Sequence, residues 1–214
     1  MNVSAIINFA AAALLTVAGL AALFKARHPA DIPLALIPLV FGSMQAIEGM
    51  IWLAIPLGRE HGAAWTNLFI FLTLTVWPLL IPAALSLVEP DPRRRFLMLV
   101  LLPASIGVAV DYAGTLLVHP YHAAPVGPLL TYANNRPVSL VLVLLYVICV
   151  CTPPLISSNP ALRRFGLFLV AGLIVSATAF YDSFISTWSF LAALASLSLL
   201  RFFYRKPAAK EVRP

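Results

Sequence analysis

Seven runs almost free of charge divide the chain, at about 3–24, 32–55, 64–88, 96–117, 137–156, 162–183 and 186–203. A bilayer-crossing helix needs about 20 mostly apolar residues, so each run is long enough to cross a membrane. The links hold most of the charge: Lys25–Asp31, Pro56–Gly62, Glu89–Arg95, Val118–Arg136, Ser157–Ala161 and a minimal turn near Ser183–Ser186. None has room for a soluble domain. Only 10% of the 214 residues are charged and 61% are hydrophobic, where a soluble domain carries about a quarter charged residues. The expected fold is therefore all-α: one polytopic seven-helix transmembrane bundle over 1–206, followed by a short basic cytoplasmic tail at 207–214.

Orientation follows from the placement of Lys and Arg, which concentrate in cytoplasmic segments. With the N-terminus outside, the inner segments hold Lys25, Arg27, Arg93, Arg94, Arg95, Arg163, Arg164, Arg201, Arg205, Lys206, Lys210 and Arg213. The outer segments hold Arg59 and Arg136. Twelve against two gives N-out, C-in, and it accounts for the formal charge of +6 without a nucleic-acid partner. The expected surroundings are the lipid bilayer of a bacterial inner membrane. Met1–Ser4 carries no basic residue and the basic residues follow the apolar run, the reverse of a signal peptide, so the first run reads as a retained helix. Cys149 and Cys151, two apart on one helix, point to different sides and do not suit a mutual disulfide.

Five of the eight carboxylates, Asp31, Glu60, Glu89, Asp91 and Glu211, fall in links or tail, where water is expected to solvate them. Glu48, Asp111 and Asp182 fall within spans 2, 4 and 6, where an ionisable side chain is costly and marks a functional candidate. Under the expected topology they lie roughly 5, 7 and 12 Å outward of their span centres. Gln45, Glu48 and Trp52 share one helical face with Phe41; Ala104, Gly107, Asp111 and Thr115 form a stripe whose small residues would admit a neighbouring backbone. These patterns predict an outward-facing polar cavity lined by Gln45, Glu48, Asp111, Tyr112, Tyr181 and Asp182, with Asn67 and Trp188 at its rim. No Lys or Arg lies deep in a span. The acids are then protonated and hydrogen-bonded, or hold an external cation or proton, or pair with Arg59 or Arg136 reaching down from the outer links.

Pro78 and Pro82 on span 3 each remove a backbone hydrogen bond and free the carbonyls of Leu74 and Pro78. A kink results, and Thr73 and Thr75 are near enough to satisfy it. No cofactor is expected: His28, His61, His119 and His122 all lie near span ends, unlike buried haem ligands, and no deep Lys is present for a Schiff base. His61, His119 and His122 are weak zinc candidates. The proline-rich link Val118–Arg136 is long enough to fold over the cavity mouth as an ordered lid.

The Gln45-x-x-Glu48-x-x-x-Trp52 face, with Trp77-Pro78-x-x-x-Pro82 and Glu89 closing the third span, resembles bacterial seven-helix membrane proteins of unassigned function. That resemblance implies the fold and carries no chemistry. The functional expectation rests on the acids alone: a channel- or transporter-like protein that binds or conducts a proton or small cation and responds to pH. A membrane-embedded hydrolase using carboxylates or a metal, and a small-ligand sensor or scaffold, are the alternatives; an enzyme is the less expected class.

Overall fold

The computed structural model describes residues 3–205, apart from the side chains of Arg59, Glu60 and Arg205. The tail expected at 207–214 lies outside the described residues. The helices are α1 (Val3–Lys25), α2 (Ile32–Ala54), α3 (Arg59–Ile70), α4 (Trp77–Val88), α5 (Pro92–Val118), α6 (Leu140–Ile156), α7 (Pro160–Ala179), α8 (Phe184–Ser196) and α9 (Leu200–Arg205). A π-helical segment, Phe71–Val76, joins α3 to α4, and a 3₁₀ turn, Leu197–Leu199, joins α8 to α9. Seven helical rods result among the described residues. Six are long and apolar enough to cross a membrane; α6, with 17 residues, is apolar but shorter. The protein is a polytopic, membrane-embedded helical bundle.

Local chemistry sets the boundaries. Asp91 caps α5 by accepting from the backbone N–H of Arg93 at 2.9 Å, and Asn159 caps α7 by accepting from Ala161 at 2.8 Å; each is followed by proline at the first helical position. Gly58, at φ +107°, makes the reversal between α2 and α3 that a side chain would strain. The fifth rod starts at Leu140 rather than 137, with Ser139 extended at φ −85°, ψ 110° as its N-cap residue. Span 3 is not broken at its prolines. A wide π turn just before Pro78 absorbs the missing donor, Thr73 donates to the Phe69 carbonyl at 2.8 Å, and the Tyr146 hydroxyl donates to the Thr73 carbonyl at 2.6 Å.

The outer link corrects the all-α expectation. His122–Val126 (β1) and Leu129–Ala133 (β2) pair antiparallel, with Val126 opposite Leu129 across a turn at Gly127–Pro128. Gly127 supplies the positive φ, +59°, that hairpin turns favour. Along β2 the buried residues are Leu130 and Tyr132, two apart on the face turned to the bundle. Tyr132 stacks on Phe69 of α3 with ring centroids 4.9 Å apart, and the Ser4 hydroxyl donates to the Pro128 carbonyl at 2.9 Å. The hairpin is thus seated against α1, α3 and α8 at one end of the bundle.

Two other expectations fail. Gly107, on the small-residue stripe of α5, is exposed and has open space around it, so this stripe admits no neighbouring backbone within the chain. Glu89 and Asp31 are not solvated. Asp31 is buried and accepts from the backbone N–H groups of Arg27 and His28. Glu89 is 0% exposed and ties two links together: its carboxylate accepts from the hydroxyls of Ser157 (2.7 Å) and Ser158 (2.5 Å) and the backbone N–H of Ser158 (3.0 Å) and Asp91 (3.3 Å). Arg95 donates to the Glu89 carbonyl, and Arg94 to the Ile156 carbonyl, from the same side.

Burial alone would raise the Glu89 pKa, but the bonds from Ser158, Ser157 and the Asp91 N–H outweigh it and hold the pKa below the ordinary 4.5. A group with a lowered folded-state pKa stabilises the fold above its unfolded value and loses that contribution as pH falls through the folded one. The melting temperature should therefore fall progressively below pH 4.5, and Glu89→Gln should flatten that dependence; an unchanged pH profile in the variant would contradict the assignment.

α6 and α7 touch backbone to backbone at this same end. A Cβ on Gly166 would lie 2.8 Å from the Leu155 nitrogen and 3.0 Å from the Pro154 carbonyl carbon. Gly166→Leu should cost about 1–3 kcal/mol by overpacking, whereas Gly107→Leu should be nearly neutral; melting temperatures of the two variants in one detergent check the contrast.

Candidate functional site

A cavity of about 820 Å³ lies among α4, α5, α6, α7 and α8, roofed by the hairpin and the chain that follows it. One wall comes from a single stripe of α7. Phe165, Leu169, Leu173 and Ala177 recur every four residues and so face one way. The lining also takes Trp77 and Ile81 from α4, Val147 and Val150 from α6, and Trp188 from α8. The aromatic walls are braced: Trp77 stacks on Phe41 with centroids 4.0 Å apart and directs its N–H to the Met44 sulfur, and the Trp188 N–H donates to the Leu169 carbonyl at 3.1 Å. Most polar groups gather at the hairpin end, where Thr131, Asn134, Arg136, Ser139, Tyr181 and Asp182 contribute to the lining; deeper in, Thr73 and Ser189 spend their hydroxyls on carbonyls of their own helices. The interior is largely hydrocarbon and aromatic, unlike the acidic cavity expected.

The three span acids occupy different surroundings and share no partner. Glu48 is buried behind the cavity wall, where its Oε1 accepts from the Ser186 hydroxyl at 2.6 Å and the Tyr132 hydroxyl at 3.1 Å. Asp111 has a counter-ion: the Arg136 guanidinium meets its carboxylate bidentately, at 2.6 and 3.0 Å, and also donates to the Thr115 hydroxyl. Arginine pairing, one of the three outcomes left open by the sequence, is the one Asp111 takes. Asp182 is exposed at the rim beside Tyr181. Their similar depth does not bring them together, because depth along a helix says nothing of the direction in which a side chain points.

The other candidates divide in the same way. Tyr112 lines the cavity and meets Tyr146 edge to face with centroids 6.3 Å apart. Asn67 anchors the roof rather than lining the site, accepting from the Tyr121 N–H at 3.0 Å while donating to the Ala63 carbonyl. Gln45 is fully buried, and neither atom of its amide finds a hydrogen-bond partner among the described residues. His61 is exposed on α3, His119 ends α5 and accepts from Asn134 through its carbonyl, and His122 opens β1. Among the described residues no three His, Cys, Asp or Glu side chains group in a way that could hold a metal ion. Cys149 and Cys151 are free, buried thiols.

Ser186 is absent from the candidates the sequence offers, and Tyr132 is expected there as part of the lid over the cavity mouth but not as a partner of Glu48. Only the alternation of Leu130 and Tyr132 after the Gly127-Pro128 turn signals an inward-facing strand residue there. Burial first, and then Glu48 beside it, push the Tyr132 phenol well above its ordinary pKa of 10, so it stays neutral and serves as a donor.

A family model covers residues 1–213 of the chain. The chain belongs to the DUF6629 family of unknown function. The family extends over all seven rods and the hairpin, well beyond the second and third spans that carried the resemblance. No curated protein and no solved structure matches this DUF6629 chain, so its function must be argued from the site.

Removing the hairpin's bond to Glu48 leaves a buried acceptor with one donor fewer, at a cost of about 1–3 kcal/mol. Tyr132→Phe should lower stability by that amount in the wild-type background and by clearly less in a Glu48→Ala background, as coupling between bonded partners requires. Equal losses in a double-mutant cycle would dissociate the two residues.

Proposed function

We propose that the protein is a seven-crossing membrane protein that holds one small hydrophobic or amphipathic molecule beneath its outer hairpin, as a ligand sensor or carrier. The observation that carries this reading is the cavity. Its volume of about 820 Å³ falls within the roughly 300–1,000 Å³ typical of small-molecule sites, and it shares their pattern of apolar walls with few polar groups at one end. The topology that goes with it is N-out, C-in. Lys25, Arg27, Arg93, Arg94, Arg95, Arg163 and Arg164 lie at rod ends opposite the hairpin end, which supports a cytoplasmic placement for them. α6 counts as a crossing in this reading: 17 residues rise about 26 Å, and the extended Pro137–Ser139 segment completes the approach to the surface.

A proton- or cation-binding role keeps one supporting observation, the buried Glu48 carboxyl with the unpartnered Gln45 amide one turn away. Asp111 is committed to Arg136 and Asp182 is exposed, so Glu48 alone would carry such a role. Proton flux into reconstituted vesicles that disappears in Glu48→Gln would favour it over the ligand-binding reading. A hydrolase gains no support from the described side chains.

The cavity reading is tested on detergent-solubilised protein with a small apolar fluorophore, 1-aminoanthracene. Saturable fluorescence enhancement is expected in the wild type. Ala192→Phe, which places a ring into the cavity from α8, should weaken it tenfold or more, equivalent to about 1.4 kcal/mol. Enhancement that survives the substitution would place the probe elsewhere and overturn the reading.

A further inference from the structure

The cavity is long rather than round. Along α7 its lining runs from Phe165 to Ala177, twelve residues or about 18 Å at 1.5 Å each, and Tyr181 in the turn beyond α7 extends it further; a whole hydrocarbon core is about 30 Å thick. A slot of this kind suits an extended hydrocarbon chain. Resting on the ligand-binding reading above, we infer that the occupant is one acyl chain of a membrane phospholipid, taken up sideways between α6 and α7 from the leaflet nearest the hairpin.

Four lining residues mark the mouth. Leu144 of α6 is 52% exposed, Ala177 of α7 is exposed, and Val138 and Tyr181 above them are 85% and 80% exposed. They therefore belong both to the cavity wall and to the outer surface, on the flank where α6 and α7 face lipid. At the far end the slot is shut. Phe165 and Leu169 are fully buried there, and Gly166 brings α7 against the α6 backbone. From above, the roof is pinned by the Arg136–Asp111 pair, the Tyr132–Glu48 bond and the Tyr121–Asn67 bond. A chain sliding in from the side breaks none of these.

The rim fits the polar end of the same molecule. Asn134, Tyr181 and Arg136 offer amide, phenol and guanidinium donors at the level of the headgroups, suited to ester and phosphate oxygens. Arg136 is already neutralised by Asp111, and Asp182 stands beside Tyr181, so the rim does not demand an anionic head. A zwitterionic phospholipid satisfies it.

Two of the four tryptophans, Trp77 and Trp188, line the slot and are otherwise buried. The test uses the Trp52→Phe/Trp65→Phe protein in bilayers of phosphatidylcholine brominated on its acyl chains, compared with unbrominated bilayers. Bromine carried into the slot should quench the remaining emission by half or more, and a ring at the mouth, from Ala177→Phe or separately Leu144→Phe, should restore most of it. The wild-type protein with all four tryptophans gives the same open-against-blocked comparison if the double variant folds poorly. Quenching unaffected by either mouth substitution would come from surrounding lipid and would overturn the inference. If brominated lipid fails to quench while 1-bromohexane added to detergent-solubilised protein succeeds, the cavity binds apolar molecules but not lipid chains, and only this inference falls. Failure of both quenchers removes the ligand-binding reading as well.

Discussion

Carboxylates set in apolar helices must find their donors inside the protein, and here two of them find donors on the same link, Val118–Arg136. Glu48 takes the Tyr132 hydroxyl and Asp111 takes the Arg136 guanidinium. The residues fall on either side of the end of β2, so the two bonds tie the link to α2 and to α5 at once. Each costs little to keep and much to lose, because either partner alone would be a buried or half-buried polar group without a complement. These two bonds act together with the Tyr121–Asn67 and Ser4–Pro128 bonds to fix the proline-rich link over the helices.

The opposite end of the bundle is held by different means. Glu89 gathers the links that precede α5 and α7 through hydroxyl and backbone donors, and Gly166 lets α6 and α7 meet without side chains between them. One end is therefore closed by backbone contact and the other by a hairpin held on side-chain bonds. The space left between is lined by whatever faces inward from α4, α6, α7 and α8, which is almost entirely apolar. The cavity is flanked by exposed hydrocarbon side chains such as Leu144 and Val138, and the proposal of a lipid-chain occupant rests on that continuity.

The helices were legible in the sequence because uncharged runs of this length have only one stable form in a membrane, and the links were legible from their charge. The ordered cover was legible in outline from the prolines of Val118–Arg136, though not as strands. Arg136 was visible as a partner for an intramembrane acid. What the sequence hid were quantities set by rotation and by long-range pairing. The depth of Glu48 and Asp111 could be counted along their helices, but their directions depend on how α2 and α5 turn against neighbours; Asp182, expected within the sixth span, lies in a 3₁₀ turn beyond the end of α7. The Tyr132–Glu48 bond joins residues 84 apart, and nothing local to either announces it. Glu89 misled because a carboxylate in a short link ordinarily meets water, whereas the serines that enclose it come from a link 68 residues away. Gly107 misled because a small residue on a helix invites a neighbour without guaranteeing one.

The central claim is that a pinned hairpin maintains an apolar slot open to lipid between α6 and α7. An electron cryomicroscopy map of the protein in phospholipid nanodiscs, at a resolution that shows side chains, tests it most directly. The account predicts a continuous tube of density running from the gap beside Leu144 and Ala177 down to Phe165, with the Arg136 and Tyr132 contacts intact above it. A slot collapsed onto its own side chains, with α6 and α7 in contact along their whole length, would contradict it.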